Sequence, residues 1–236
     1  MNTEYTGYAD LHMHTTASDG YATVQELLDH VAKIAQLDVI AITDHDILDA
    51  SITAWEQQAH YPFDIVPGVE VSSRDGHVLG LWITQPIPAG LSLTETAAAI
   101  HEQNGLAVLA HPFEIFVHPC AFWRYLSRPT VLLESGVDAI EVHNSGAPTP
   151  GGNWLARRMA TQIGMTMTGS SDAHALTSIG SGITRFPGQT AVDLRCALTN
   201  CATVAEGKAW PITDYLRLLP ATTQRKLSAS LGMNMH

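Results

Sequence analysis

The chain has 236 residues, 45% of them hydrophobic and 15% charged, and carries a formal charge of −11. This length and composition can bury the core of one large globular domain or two small ones, so disorder is not expected. The acidic balance repels phosphate backbones, which argues against stable binding of duplex nucleic acid. No apolar run is long enough to span a membrane, and the first residues lack the features of a secretory signal, so we expect a cytoplasmic protein.

Histidine is unusually frequent, since the 12 histidines equal the lysines and arginines in number. Imidazole is the side chain that most often binds metals. The three cysteines, Cys120, Cys196 and Cys201, contain no CxxC pair, which argues against a disulfide framework and against a zinc ribbon. Any metal is therefore expected to be bound by histidine and carboxylate side chains.

Short β-branched runs alternate with segments of helical period, which is typical of βα units around a parallel sheet. Strands are predicted, in chain order, at Tyr8–His12, Val39–Thr43, Asp64–Val71, Val78–Thr84, Ala107–Ala110, Ala139–His143 and Thr166–Gly169, with a closing strand at Thr203–Glu206. Helices are predicted at Thr23–Gln36, Ile47–Ala59, Leu93–Asn104, Arg128–Ser135 and Asn153–Ile163. Thr23 and Glu26 have the spacing of a capping box, and Gly105 and Gly164 stand where helices should end.

About seven parallel strands in this order favour an α/β barrel related to the eight-stranded βα barrel, whose reactive groups lie at the carboxyl ends of the strands. A doubly wound open sheet is the alternative. No repeat or linker divides the sequence, so residues 1–236 are predicted to form a single domain. Residues 214–236 are predicted to be a terminal helix and a tail.

Histidines and carboxylates follow the ends of the predicted strands. Asp10-Leu11-His12-Met13-His14 closes the first strand, and the period of two places both imidazoles on one face, where they can share a cation. The other groups at strand ends or in the loops beside them are Asp19, Thr43-Asp44-His45-Asp46, Glu70, His77, His111, Glu141-Val142-His143-Asn144 and Ser171-Asp172-Ala173-His174. In a barrel these groups would meet at one end, which predicts a metal site there.

At these residues the sequence resembles the polymerase and histidinol phosphatase (PHP) family. The resemblance covers residues 8–185 and rests on His12-Met13-His14, Thr43-Asp44-His45, Glu70, Ala110-His111-Pro112 and Ser171-Asp172-Ala173-His174. It implies a distorted seven-stranded, TIM-like βα barrel with two or three metal ions at the carboxyl end of the strands. It also implies phosphoester hydrolysis as the activity.

The resemblance further implies roles for individual residues. One metal would be bound by His12, His14, Glu70 and Asp172, a second by Glu70, His77 and His111, and a third by Asp19, His45 and His174. Asp19 stands where many three-metal members have a histidine, which leaves manganese, iron and zinc open as the metal. The expected catalytic residues are Glu70, Asp172 and His143. Asn144, Arg157 and Arg158 are the expected substrate contacts, because an arginine fork suits phosphate.

These expectations define a function. Two divalent cations about 3.5 to 4 Å apart lower the pKa of water from about 15.7 to about 7, which supplies hydroxide, and neutralise the transferring phosphoryl group. We therefore expect a metal-dependent phosphoesterase that acts on a small phosphorylated metabolite or a short nucleotide, such as a nucleoside bisphosphate. The aromatic-rich segment Pro112–Pro129 is the expected wall or lid of the pocket. A nuclease-like proofreading activity and a non-catalytic, metal-stabilised binding module are the alternatives.

Overall fold

A computed structural model describes residues 4–34, 36–115 and 119–218. Within these residues nine strands form one sheet and eight α-helices accompany it. The strands are β1 (Gly7–Asp10), β2 (Val39–Ile42), β3 (Asp64–Ser73), β4 (Gly76–Leu81), β5 (Leu106–Leu109), β6 (Ala139–Asn144), β7 (Thr166–Ser170), β8 (Gly182–Phe186) and β9 (Val204–Gly207). The helices are α1 (Val24–Ile34), α2 (Asp49–Glu56), α3 (Leu93–Glu102), α4 (Pro119–Ser127), α5 (Thr130–Ser135), α6 (Gly152–Ile163), α7 (Ala191–Thr199) and α8 (Ile212–Leu218).

The sheet curls into a nearly closed barrel, which confirms the predicted fold class. Its strand order is β7-β6-β5-β4-β3-β2-β1-β8-β9, and β7 also contacts β8 and β9. Three hydrogen bonds join these edges: Thr203 Oγ1 donates to Met167 O at 2.7 Å, Gly169 N donates to Thr184 Oγ1 at 3.0 Å, and Thr184 Oγ1 donates to Gly169 O at 2.9 Å. The sheet has nine strands, where seven and a closing strand were expected.

The sheet is mixed, whereas the sequence pattern had favoured parallel strands throughout. The pairs β1–β2, β2–β3, β5–β6 and β6–β7 are parallel, and β3–β4, β4–β5, β1–β8 and β8–β9 are antiparallel. Ser73 pairs with Gly76, which leaves a two-residue turn between β3 and β4, and a turn this short joins only antiparallel strands. Gly76 has a φ of 135°, in a region that glycine adopts at little cost.

The helix boundaries follow their caps. Thr23 and Glu26 form the predicted capping box, with Thr23 N donating to Glu26 Oε2 at 2.8 Å and Glu26 N donating to Thr23 Oγ1 at 3.3 Å. Gly164 ends α6 with a φ of 70°. Helices α4 and α7 and strand β8 were not predicted, and α8 begins at Ile212, two residues before the predicted start. The predicted tail from residue 219 onward lies outside the described residues.

Apolar side chains fill the space between the helices and the sheet. One cluster lies between β2, β3, α1 and α2 and includes Leu28, Ile40, Ile42 and Ile65, each at most 1% exposed. The inward positions at the carboxyl ends of the strands are polar instead and remain buried. None of the helices in the described ranges combines the length and the apolar character that a membrane span requires.

Candidate metal centre

Glu70 lies at the centre of a group of imidazoles at the carboxyl end of β3. Its side chain is fully buried. Oε2 lies 3.1 Å from His12 Nε2, 3.4 Å from His14 Nε2 and 3.1 Å from His45 Nδ1, and Oε1 lies 2.8 Å from His77 Nδ1 and 3.1 Å from His111 Nε2. One carboxylate therefore contacts five of the predicted metal ligands.

The fold explains how His77 joins this group. Because β4 runs antiparallel to β3, its first residues lie beside the carboxyl end of β3, and His77 pairs with Ser72. A parallel β4 would have placed the start of the strand at the opposite end of the barrel. The two-residue turn Arg74-Asp75 thus brings the His77 imidazole to Glu70.

The end of β1 carries His12 and His14 into the same space. Both side chains are buried, and Met13 between them packs into the core. His14 N donates to Ala173 O at 2.9 Å, which aligns this segment with the loop after β7. That loop carries Asp172, whose Oδ1 lies 3.1 Å from His14 Nε2 and 3.4 Å from His12 Nε2.

A third group lies nearer the surface. His174 Nε2 is 3.1 Å from Asp19 Oδ2, and His45 Nε2 is 3.8 Å from the same oxygen. His174 Nδ1 donates to Asp172 O at 2.9 Å, so its Nε2 is directed at Asp19. The carboxylate of Asp19 is 53% exposed, which makes this the most accessible part of the cluster.

The donor set fits divalent metal ions. Four groups each bring their nitrogen and oxygen atoms within 4.8 Å of one another: His14, Asp19, His45 and His174; His12, His14 and Glu70; His12, His111 and Asp172; and His45, Glu70 and His77. Within the described part of the chain, His12 Nε2, His14 Nδ1 and Glu70 Oε2 are buried without a hydrogen bond of normal geometry, a situation that an ion resolves. Imidazole and carboxylate donors suit manganese, iron and zinc.

Protons and cations compete for this cluster. Burial alone would raise the pKa values of Glu70 and Asp172, but the charge of His12 and hydrogen bonds from neighbouring histidines hold both well below their usual range. Burial alone would lower the pKa of His174, yet Asp19 and Asp172 raise it to about 9, and the pKa of Asp19 falls to about 2. Without metal, the carboxylates thus favour the protonated forms of His12, His111 and His174, and binding a cation must release those protons.

A small pocket opens onto the cluster and encloses about 190 Å³. Its lining residues are His45, Glu70, His77, His111, Glu114, Gly146, Ala147, Pro148, Asp172, His174 and Trp210. Trp210 was not predicted. Its indole N–H donates to Ser171 O at 2.6 Å, and its ring centroid lies 5.6 Å from that of His174. One wall of the pocket therefore comes from the segment that follows β9.

The predicted aromatic wall contributes less. Of the described residues in Pro112–Pro129, Glu114 lines this pocket. Phe113 is buried and packs edge-on against Phe122, at 5.3 Å between ring centroids. Trp123 is exposed, and residues 116–118 lie outside the described part of the chain.

Three predicted site residues lie away from the cluster. A bulge in β6 between Glu141 and His143 changes the alternation of the strand, so that Glu141 and Asn144 face the cluster. His143 lies against β9, where a side chain on Gly207 would collide with its ring. Arg157 donates to Ala205 O at 2.7 Å, and Arg158 lies 5.6 Å from the Trp154 ring on the surface of α6. The structure therefore does not bring His143, Arg157 and Arg158 into the group of side chains around Glu70.

Buried carboxylates next to the predicted ligands had received little or no role from the sequence. Asp44 accepts hydrogen bonds from Thr15 N and Thr15 Oγ1, both at 2.7 Å, and so shapes the loop that carries Asp19. Asp10 accepts from Ser171 N at 3.0 Å and Gly180 N at 2.9 Å, and burial raises its pKa to about 6. The sequence signal for both was their position directly before a histidine motif.

Comparison with known proteins agrees with this geometry. A family profile described as PHP-associated matches residues 150–203. An uncharacterized protein of Methanocaldococcus jannaschii is 30% identical over 181 residues, which are 75% of this chain and 69% of that protein. The 5'-3' exoribonuclease Rnm of Salmonella typhimurium is 38% identical over 94 residues, 37% of this chain and 32% of that protein. The 3',5'-nucleoside bisphosphate phosphatase of Chromobacterium violaceum is 37% identical over 84 residues, 34% of this chain and 29% of that protein.

The fold is also found in a crystal structure of a two-domain protein from Bacteroides vulgatus, described as containing a predicted PHP-like metal-dependent phosphoesterase. The TM-score is 0.69 at 19% identity, covering 85% of this chain and 64% of that chain. The chain belongs to the PHP family. It spans less than a third of the length of either curated enzyme.

Proposed function

We propose that this protein is a metal-dependent hydrolase of small phosphate esters. The observation that carries the proposal is the convergence of nitrogen and oxygen donors, centred on buried Glu70, at the base of a pocket of about 190 Å³. Three of these donor atoms lack a normal hydrogen bond among the described residues. The similarity to a nucleoside bisphosphate phosphatase and to an exoribonuclease supports the same chemistry.

We assign the residues to three cation positions, whose members overlap with the four groups of adjacent donors. His12, His14, Glu70 and Asp172 form one, Glu70, His77 and His111 the second, and Asp19, His45 and His174 the third. Divalent cations bound there supply positive charge for a phosphoryl group and lower the pKa of water to about 7. Glu70 contacts donors of all three groups, so its role is to fix their separation. Asp172 adds a second, partly buried negative charge, which His12 and His14 orient.

The pocket favours a small substrate. Ligand pockets for drug-sized molecules enclose about 300 to 1,000 Å³, more than the volume beside the cluster. Trp210, Ala147 and Pro148 form its apolar side, which suits the organic part of a phosphorylated metabolite or a base. The net charge of −11 disfavours a long duplex, whose phosphates would approach an acidic surface. The similarity to a nucleoside bisphosphate phosphatase supports a short nucleotide as one substrate.

A panel of phosphate esters tests the proposal. The protein, stripped with a chelator and reloaded separately with manganese, iron or zinc, is assayed on mononucleotides, a nucleoside 3',5'-bisphosphate, sugar phosphates and long duplex DNA at fixed salt. We expect a higher kcat/KM on at least one small ester than on the duplex, and no turnover by the stripped protein. No hydrolysis under all three metals would contradict the proposal and favour the binding module.

A nuclease is the second candidate, because the 5'-3' exoribonuclease Rnm aligns with part of this chain. The same assay includes a short single-stranded RNA with a 5'-phosphate. Processive digestion of that RNA with a higher kcat/KM than any mononucleotide would favour the nuclease. The small pocket and the acidic charge support the small-ester hydrolase.

A further inference from the structure

Glu141 is a fully buried carboxylate to which the proposed reaction gives no role. Its Oε1 accepts a hydrogen bond from His12 Nδ1 at 3.1 Å. Its Oε2 accepts from the backbone N–H of His111 and from Asn144 Nδ2, both at 2.9 Å. Both oxygens are thus engaged, and two of the three donors belong to residues assigned above to cation positions.

Asn144 extends these contacts to a further member of the cluster. Its Nδ2 also lies 3.0 Å from Asp172 Oδ2. The backbone of Asn144 is held in turn by Asn153 of α6, which accepts from Asn144 N at 3.1 Å and donates to Asn144 O at 2.9 Å. Glu141 and Asn144 therefore connect residues at the ends of β1, β5 and β7.

Two of the connected residues have an unusual backbone. His111 has a φ of 27° and Asp172 a φ of 53°. Non-glycine residues in this left-handed region are strained and persist only where their surroundings hold them. The bond from His111 N to Glu141 and the bond from Asn144 to Asp172 are contacts of that kind.

We propose that Glu141 and Asn144 are positioning residues that set the orientation of His12, His111 and Asp172 and so determine how tightly the centre binds metal. This proposal rests on the metal-dependent function proposed above. When His12 Nδ1 donates to Glu141, its Nε2 lone pair faces Glu70 and Asp172, at 3.1 and 3.4 Å. Carboxylate partners of this kind fix the tautomer and the ring orientation of histidine ligands.

The count of acceptors shows why a carboxylate is needed. Three donors converge on Glu141, one on Oε1 and two on Oε2. In Glu141→Gln one oxygen becomes an NH2 group, which is a donor. In one orientation of the amide the new NH2 group faces the His12 Nδ1–H donor. In the other orientation it faces the two donors on Oε2, which belong to His111 and Asn144. The variant must therefore change the His12 tautomer or release His111 and Asn144.

Glu141→Gln is compared with Asp138→Asn at the other end of the same strand. Asp138 Oδ2 accepts hydrogen bonds from His101 Nε2 at 2.8 Å and from Ala107 N at 2.7 Å. Like Glu141, Asp138 therefore connects β6 with a histidine and with β5. It lies at the opposite end of the strand from the cluster. Cobalt and manganese affinities are measured by chelator competition, with the visible spectrum of the cobalt form as a second readout. We expect Glu141→Gln to weaken metal binding by about 10- to 100-fold and to change the cobalt spectrum. Asp138→Asn should leave both at wild-type values.

Asn144→Ala provides a second variant that does not depend on the folding of Glu141→Gln. It removes the link to Asp172 and leaves the Glu141 carboxylate in place, so we expect a smaller loss of metal affinity with an altered cobalt spectrum. Wild-type affinity and spectrum in both variants would overturn the positioning role while leaving the proposed function intact. A wild-type protein that binds no divalent cation would instead overturn the proposed function.

Discussion

Replacing Glu70 by glutamine removes one charge from the centre of the cluster while keeping the size of the side chain. The two carboxylate oxygens lie between 2.8 and 3.4 Å from five imidazoles, so cations bound among these groups would lose an anionic ligand. At an effective dielectric constant of about 20, two unit charges 4 Å apart interact by about 4 kcal/mol, which corresponds to about a thousandfold in a binding constant. For divalent ions we expect a loss of at least this size.

Elemental analysis after dialysis measures the effect. We expect about two or more equivalents of transition metal in the wild-type protein and a clear loss of metal, together with turnover, in Glu70→Gln. Glu114→Gln is the matched control: Glu114 is also buried in this pocket, but it accepts hydrogen bonds from Thr149 and is in none of the donor groups formed by the described residues. If Glu70→Gln kept the wild-type metal content, the bridging role of Glu70 would be refuted.

Ligand removal, protonation and helix capping give three further predictions. His14→Ala and Asp172→Asn should each lose bound metal and hydrolytic activity together, as measured by elemental analysis and turnover assays. A variant with wild-type metal content and wild-type turnover would show that the replaced residue is not a metal ligand. The pKa of His174 is raised from 6.5 to about 9, so protonated His174 stabilises the metal-free protein fully below pH 6.5, and this stabilisation is lost as the pH rises through about 9. Calorimetry in buffers of different ionisation enthalpy should also show that metal binding at pH 8 releases protons. Metal binding at pH 8 without proton release would contradict the assignment of His174 as a metal ligand. Thr190→Ala removes the hydroxyl that accepts from Asp193 N at 3.1 Å at the start of α7, so urea unfolding should show a loss of about 1 kcal/mol, with unchanged metal content.

The barrel and most of the cluster could be predicted because their signals are local. A period of two places His12 and His14 on one face regardless of the rest of the fold, and carboxyl ends of parallel strands meet at one edge wherever the strands lie in sequence. The capping box at Thr23 and Glu26 is likewise complete within four residues. These features required no knowledge of long-range packing.

The remaining features depended on single irregularities. The direction of β4 follows from the turn before Gly76, and the Asp75-Gly76 pair was a signal for a hairpin. The bulge in β6 placed Asn144 instead of His143 beside Glu141 at the cluster, and one extra residue in a strand leaves little trace in a hydrophobic pattern. Trp210 reaches the pocket from beyond the motif-bearing residues 8–185, through contacts with Ser145 and Ser171 that have no sequence signature.

The charge of the cluster connects metal content with substrate binding. No lysine or arginine is among the described residues that line the pocket, so once bound metal has displaced the protons of the imidazoles, positive charge for a phosphate comes from the metal cations. Four carboxylates contact the imidazoles of the centre, on Asp19, Glu70, Glu141 and Asp172, and Glu114 adds a fifth in the pocket wall. Two divalent cations would leave one negative charge uncompensated, whereas three would leave a surplus of one positive charge at the mouth of an otherwise acidic protein. We therefore propose that the third position, formed by exposed Asp19 with His45 and His174, attracts an anionic substrate, and we expect KM to respond to its occupancy more strongly than kcat.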